Sequence, residues 1–307
     1  MIVCCGEAVI DFLPRKTAAG ETAYQPFNGG SIFNTAIALS RLGIPTGFFS
    51  GLSSDFFGDG LKAGLKASKV DLKYTKFWDR PSTLAFVKLE DGHARYSFFD
   101  DNSAGRMLTK KDLPKLAPGV TALHFGSISL IEEPGAATLE ALLKREARKR
   151  VICLDPNIRP SLINNRRSYL ARINRMIALS DIVKISNEDV VWMTGKKDLT
   201  GAARRWLKAG AKIVVVTKGS EGVEAFTKRF DISLPSVKVK VADTVGAGDT
   251  FTAGLLTALT RAKRLDKSAL AAIGEEALRE ALSFAARAAA MTVSRPGADP
   301  PWARELG

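Results

Sequence analysis

The chain has 307 residues, 46% of them apolar and 25% charged, with Gly and Pro at ordinary levels; this excludes a disordered or fibrous protein and predicts a single domain spanning 1–307 around a sizeable core. Its formal charge of +13 suits a polyanionic small ligand. The basic residues fall in helix-like stretches such as Lys144 to Arg150, Arg166 and Arg167, without aromatic interleaving, so neither nucleic acid nor a membrane is expected as partner.

Met1–Ile10 is apolar but meets Asp11 too early for a secretory segment or a membrane span, which predicts a cytoplasmic protein. Ile2–Ile10 reads as the first strand. Phe12–Phe27 is polar and has no helical periodicity; a helix follows near Asn34–Leu42, a strand at Thr46–Ser50 and a helix near Gly58–Ala67. Thr83–Leu89 and Arg95–Phe99 flank Asp91-Gly92, a hairpin turn signal. A hairpin there must protrude from a parallel sheet, so segments 12–28 and 80–101 are expected to build a small β lid. Phe86 on that lid could instead pair with a second copy, giving a homodimer.

Beyond the lid, strands at Ala122–Phe125, Val151–Leu154, Ile182–Ile185 and Ile213–Val216 alternate with helices near Ala136–Arg150, Tyr169–Leu179 and Leu199–Ala209. A β-rich run, Val237–Val241, then precedes helices near Thr250–Thr260 and Ala277–Thr292. This rhythm predicts an α/β fold, a mainly parallel central sheet between two layers of helices. Asp11, Gly126, Asp155, Ser186 and Thr217 each follow an apolar run, where open α/β sheets bind ligands.

His93 and His124 are the only histidines, and Cys4, Cys5 and Cys153 have no ligand spacing, so histidine catalysis, a zinc site or a disulfide framework is not expected. The strongest local signal is Asp243-Thr244-Val245-Gly246-Ala247-Gly248-Asp249-Thr250-Phe251. Gly246 and Gly248 free the backbone so that the N–H groups of Gly246, Ala247 and Gly248 converge on an anion at a helix N-terminus. Asp249, expected to be ionised in that field, is placed to take a proton from a substrate hydroxyl. A plain capped turn is the bland alternative. An NAD-dependent oxidoreductase is another, since Gly246-x-Gly248 opens a helix and Asp266 follows, but Phe251 stands where the third Gly belongs and no P-loop occurs. Asn28-Gly29-Gly30-Ser31-Ile32-Phe33-Asn34 is a second Gly-containing approach to a ligand.

Together these segments resemble the two signatures of the ribokinase-like, phosphofructokinase B superfamily of sugar kinases: GG-x-x-x-N near the N-terminus and D-T-x-G-A-G-D near the C-terminus, with the likeness running from Gly6-Glu7 to Ser294–Ala298. The resemblance implies a ribokinase-like fold with a β lid over the sugar, and transfer of the ATP γ-phosphoryl. It implies Asp249 as base, Gly246 to Gly248 as anion hole, and Asp11, Gly29, Gly30 and Asn34 at the sugar. Ser186, Thr217, Lys218, Gly219, Ser220 and Gly222 would face the nucleotide. The family's N-x-x-E is replaced by Ser186-Asn187-Glu188-Asp189, so either Asp189 or Glu188 would hold Mg²⁺ through water; a monovalent cation is compatible with the pattern.

Asp155-Pro156-Asn157-Ile158-Arg159 and Phe98-Phe99-Asp100-Asp101-Asn102-Ser103-Ala104-Gly105-Arg106 look most like bacterial fructokinases, which adds Phe98, Asp100, Arg106, Asn157 and Arg159 to the expected sugar site. The first pattern is shared with 2-keto-3-deoxygluconate kinases. Asp100 and Asp101 near the sugar would repel a carboxylate, which favours neutral fructose.

Overall fold

The structure is a computed structural model and describes residues 1–90 and 93–306; the hairpin tip expected at Asp91-Gly92 lies outside the described residues. The chain opens with β1 (Ile2–Cys5), then leaves the central sheet for β2 (Val9–Lys16) and β3 (Thr22–Gly29) before α1 (Ser31–Arg41). β4 (Thr46–Phe49) returns to the sheet, a short pair β5 (Gly51–Ser53) and β6 (Lys76–Trp78) brackets α2 (Phe56–Ala67), and β7 (Leu84–Glu90) and β8 (His93–Phe99) follow. Strands and helices then alternate through β9 (Ala122–Gly126), α3 (Gly135–Glu146), β10 (Val151–Asp155), α4 (Arg166–Ala178), β11 (Ile182–Ser186), α5 (Asn187–Thr194), α6 (Leu199–Ala209) and β12 (Ile213–Thr217). The chain closes with β13 (Val223–Phe226), β14 (Asp231–Leu234), α7 (Ala247–Arg261), α8 (Lys267–Ala271) and α9 (Glu275–Val293).

Among the described residues the central sheet runs β14-β13-β12-β11-β10-β9-β1-β4, parallel from β12 to β4 and antiparallel at β13 and β14. Its inner strands are apolar almost throughout because both faces are covered, and side chains alternate between the two layers. Ile2 and Cys4 join one core with α1, α7 and α9; Val3 and Cys5 join the other with α3, α4 and α6. α7 and α9 pack at Gly254, where a Cβ would come 2.7 Å from Ala285 Cα. At its N-terminal end α7 approaches β11, where a Cβ on Gly248 would come 3.0 Å from Lys184 Nζ.

Segment Ile2–Ile10 is not one strand. It breaks after Cys5 because Gly6 threads between α1 and the 127–130 turn; a Cβ there would meet Ile32 Cγ1 at 2.6 Å and Ser129 Oγ at 2.8 Å. Asp11 therefore stands in a second, four-stranded sheet where a lid was expected, and not at the edge of the central sheet. This sheet runs β3-β2-β7-β8, with β2 and β7 parallel. Phe86 is held inside it, stacked on Phe12 at 4.4 Å and edge-on to Tyr24 and Phe99, while Phe99 remains exposed.

Val237–Val241 forms no strand; its three valines are exposed, and β13 and β14, too short for the pattern reading, take the edge of the sheet. α1 begins at Ser31, three residues before the expected start, because Gly30 at φ +102 makes the turn into the helix. Among the described residues no helix is long and apolar enough to cross a membrane.

Candidate active site

The α7 N-terminus is the centre of the site. Gly246 precedes it at φ +77, a left-handed conformation that lets the chain turn sharply into the helix. Asp243 braces the turn by accepting from the Val245 and Gly297 amides, each at 3.0 Å. The Ala247 amide turns back to the Thr244 carbonyl at 3.3 Å, so it leaves the expected anion hole. The amides of Gly246, Gly248 and Asp249 have no acceptor among the described residues, and they carry the open donors of the helix end.

Asp249 is buried in the first turn of α7. Its Oδ1 accepts from Ser31 Oγ at 2.6 Å and its Oδ2 from Asn34 Nδ2 at 2.9 Å. Ser31 and Asn34 reach it together because an i, i+3 pair shares one helix face. Burial raises the Asp249 pKa above the ordinary carboxylate value, opposed by those two hydrogen bonds and by the Lys184 charge. The helix field alone predicted the opposite direction; desolvation outweighs it, and the outcome is a stronger base.

A polar cavity of about 290 Å³ opens in front of Asp249. It is lined by the expected Asp11, Gly30, Asn34, Phe98, Asn157 and Arg159, together with Gly246 and Gly248. Arg159 donates to Asn157 Oδ1 at 2.8 Å, which spreads the guanidinium across the floor. Gly29 lies behind Asp11, where a Cβ would come 2.2 Å from Asp11 Oδ2. Two other surface hollows, one lined by Met193 and Trp206 and one by Lys73 and Pro118, share no lining residue with this cavity and gather no comparable set of acids.

Asp11 is pushed up to about 6 by burial, with the Arg159 charge pulling the other way. A carboxyl raised in the folded state binds its proton more tightly there than in the unfolded chain. Its contribution to stability is complete below the ordinary value of 3.8 and is lost as pH rises through about 6. The melting-temperature gap between an Asp11→Asn variant and its parent, both without ligand, should therefore shift in the variant's favour between about pH 4 and pH 7. A gap independent of pH would show Asp11 titrating normally.

Other expected residues lie elsewhere. Asp100 accepts from Thr83 Oγ1 and Ser103 Oγ, each at 2.6 Å, and braces the base of the lid instead of lining the cavity. Arg106 donates to Asp101 Oδ1 at 2.7 Å and to Glu132, so it is spent in a surface network outside the cavity. Asp101 is exposed. The charged residues lining the cavity are instead Glu7, Asp11 and Asp249 with Arg159 and Lys184, so Asp100 and Asp101 do not supply the repulsion expected of them.

Along the strand edge expected to face the nucleotide, Ser186 caps α5 by accepting from the Asp189 amide at 3.0 Å, and it pairs in register with Thr217. Gly219 and Gly222 take φ +55 and +103, which shapes the turn after β12. Ser220 is exposed on that turn, and Lys218 faces away, donating to Glu224 Oε1 at 2.6 Å. None of 217–222 lines the sugar-sized cavity; they extend the same strand edge beside it. Of the two candidate acids, Glu188 is exposed, whereas Asp189 turns inward and accepts from the Ile158 amide at 3.2 Å. Burial and the Asp155 charge push Asp189 up to about 6.

The sequence reading missed Lys184. Its ammonium is buried, donates to Asp155 Oδ2 at 2.8 Å, and lies 3.0 Å from where a Gly248 Cβ would stand. Burial would lower its pKa, but Asp155, Asp249 and Asp189 together raise it, so it is a fixed positive charge beside the open amides. The signal was present: a lysine inside Ile182–Ser186, a strand buried on both faces, requires a partner.

The sequence model of the pfkB family carbohydrate kinases matches residues 1–304. The chain belongs to that family. Within it, a curated fructokinase of Rhizobium leguminosarum bv. trifolii is 54% identical over 91% of this chain and 86% of its own length. Among solved structures, a fructokinase of Xylella fastidiosa with bound ATP is similar at a TM-score of 0.90 and 26% identity, covering 99% of this chain and 96% of its own. A fructokinase of Vibrio cholerae O395 in fructose-, ADP- and calcium-bound form gives 0.85 and 27%, covering 97% and 94%. The carbohydrate kinase fold is thus this chain's fold, and the protein is an ATP-dependent sugar kinase. The oxidoreductase alternative falls with the missing strand, since residues 235–241 provide no β element from which a dinucleotide turn could spring.

Proposed function

We propose that this pfkB family kinase transfers the γ-phosphoryl group of ATP to the 6-hydroxyl of D-fructose. The observation that carries the reading is Asp249, buried, held at both oxygens and facing a sugar-sized cavity beside unpaired helix amides. The hydroxyl oxygen attacks the γ-phosphorus, its proton passes to an Asp249 oxygen, and the bond from phosphorus to the bridging oxygen breaks to release ADP. The amides of Gly246 and Gly248, with the Lys184 ammonium, offset the negative charge on the group in transit.

Asp11, Asn34 and Asn157 supply acceptors and donors for a polyhydroxy ligand. The high identity to a curated fructokinase supports the same substrate. Mg²⁺ carried on the ATP phosphates fits the donor set. No group of three or more acids, cysteines or histidines among the described residues forms an all-protein cage, and Asp189 is one inward-facing carboxylate for a water-mediated contact.

A coupled ADP-release assay over neutral ketoses, aldoses, nucleosides and 2-keto-3-deoxygluconate tests the assignment. Fructose should give the highest kcat/KM. A clear preference for the keto-acid would overturn the substrate and leave the kinase; no ADP release with any acceptor would overturn both.

A further inference from the structure

Glu7 stands in the turn between β1 and β2, where the chain passes from the central sheet into the lid. Only 6% of it is exposed, yet it forms part of the cavity wall beside Gly30 and Ser31. Its Oε1 accepts from the Ile32 amide at 3.3 Å, one of the first-turn donors that α1 cannot satisfy internally. Its Oε2 is buried without a hydrogen-bond partner. Burial raises its pKa, opposed by hydrogen bonds from its own backbone, Ile32, Ser129 and Ser127. Of those serines, Ser129 donates its hydroxyl proton to the Gly126 carbonyl at 2.7 Å, which leaves Ser127, also in the cavity wall, as the hydroxyl that can turn toward Glu7.

A buried carboxyl oxygen left unpaired is costly, by roughly 1–3 kcal/mol or more. A folded protein tolerates that cost where a ligand completes the bonding. Gly30 shapes the approach: a Cβ there would come 3.3 Å from Glu7 Cγ, and the φ of +102 already excludes most side chains.

We propose that Glu7 is a sugar-binding and specificity residue, its Oε2 engaging a hydroxyl of the neutral sugar away from the carbon that is phosphorylated. Through Oε1 the same side chain steadies the first turn of α1, and hence Ser31 and Asn34 on Asp249. The inference rests on the sugar-kinase reading and names one contact within it. It gives the acid of Gly6-Glu7, which the motif analysis left without a role, a function at the substrate.

Glu7→Gln keeps the shape and an oxygen for the Ile32 amide but replaces the other oxygen with a donor. Its KM for fructose should rise about 10- to 100-fold, the range of a lost hydrogen bond to a buried charged group, while KM for ATP and the melting temperature stay near parent values. A set of monodeoxyfructoses then separates contact from scaffold. In the parent protein each deoxy analogue loses affinity, and for one of them the Gln variant should bind as well as the parent does, because the hydroxyl that Glu7 meets is gone. An unchanged fructose KM, or a penalty equal for every analogue, overturns the proposal. If the parent itself fails to phosphorylate fructose, the proposed function fails instead, and that result is distinct from either. Glu7→Leu, losing both oxygens, should in addition lower kcat through Asp249; loss of kcat without any change in sugar KM would assign Glu7 to α1 alone and also overturn the contact.

Discussion

Asp249→Asn should lower kcat by about 10²- to 10⁴-fold while ATP binding stays near its parent value. The size follows from what the side chain does: a general base contributes its factor only if it can hold the proton. An amide of the same shape cannot. The geometry makes the loss larger than that of an exposed acid, because burial has already raised the proton affinity of this carboxyl and Ser31 and Asn34 hold its oxygens in one orientation. The substitution is not silent locally. One of the two positions now filled by acceptors becomes an NH₂ group; facing Ser31 it meets a hydroxyl that can rotate to accept, and facing Asn34 it requires that amide to flip. Titration with an ATP analogue separates these effects from chemistry, since neither Ser31 nor Asn34 lies on the strand edge at 217–222 proposed for the nucleotide. Turnover within a few-fold of the parent would remove Asp249 from the proton transfer.

Why Asp249 was legible in the sequence and Lys184 was not is a matter of range. The Gly246-x-Gly248-Asp turn is local: backbone freedom, helix end and carboxylate sit within four residues, so the chain states its chemistry directly. The alternation of apolar runs and amphipathic segments made the layered sheet legible for the same reason. The β7–β8 hairpin was legible, but the parallel pairing of β2 with β7 joins segments some seventy residues apart, which no local pattern encodes. That pairing decides where Asp11 stands. Asp100 and Arg106 fall outside the cavity. They lie close to β8 in sequence, but Thr83, Ser103, Asp101 and Glu132 satisfy them where they stand, so nearness in sequence was not nearness to the cavity. Lys184 announced itself only as a charge in an apolar strand; its partner Asp155 lies on the neighbouring strand and its target on a helix more than sixty residues away.

That arrangement sets the second large effect. Lys184→Met should slow phosphoryl transfer by about 10²- to 10³-fold, the cost of removing one preorganised donor from a group whose charge moves during reaction. It should also destabilise the fold by about 3–5 kcal/mol, because Asp155 is left buried and uncompensated, with an Oδ1 that already has no partner. The two consequences have different origins and can be pulled apart. Adding Asp155→Asn to Lys184→Met removes the stranded charge, so the double variant should regain most of the melting temperature while remaining slow. Nearby His124 is held down to about 4 by burial, with the Asp155 charge pulling it up and the Lys184 charge adding to the lowering. Recovery of both stability and rate in the double variant would mean that Lys184 serves only to neutralise Asp155. Recovery of stability alone places the ammonium with the Gly246 and Gly248 amides, as the third fixed positive element around the transferred group.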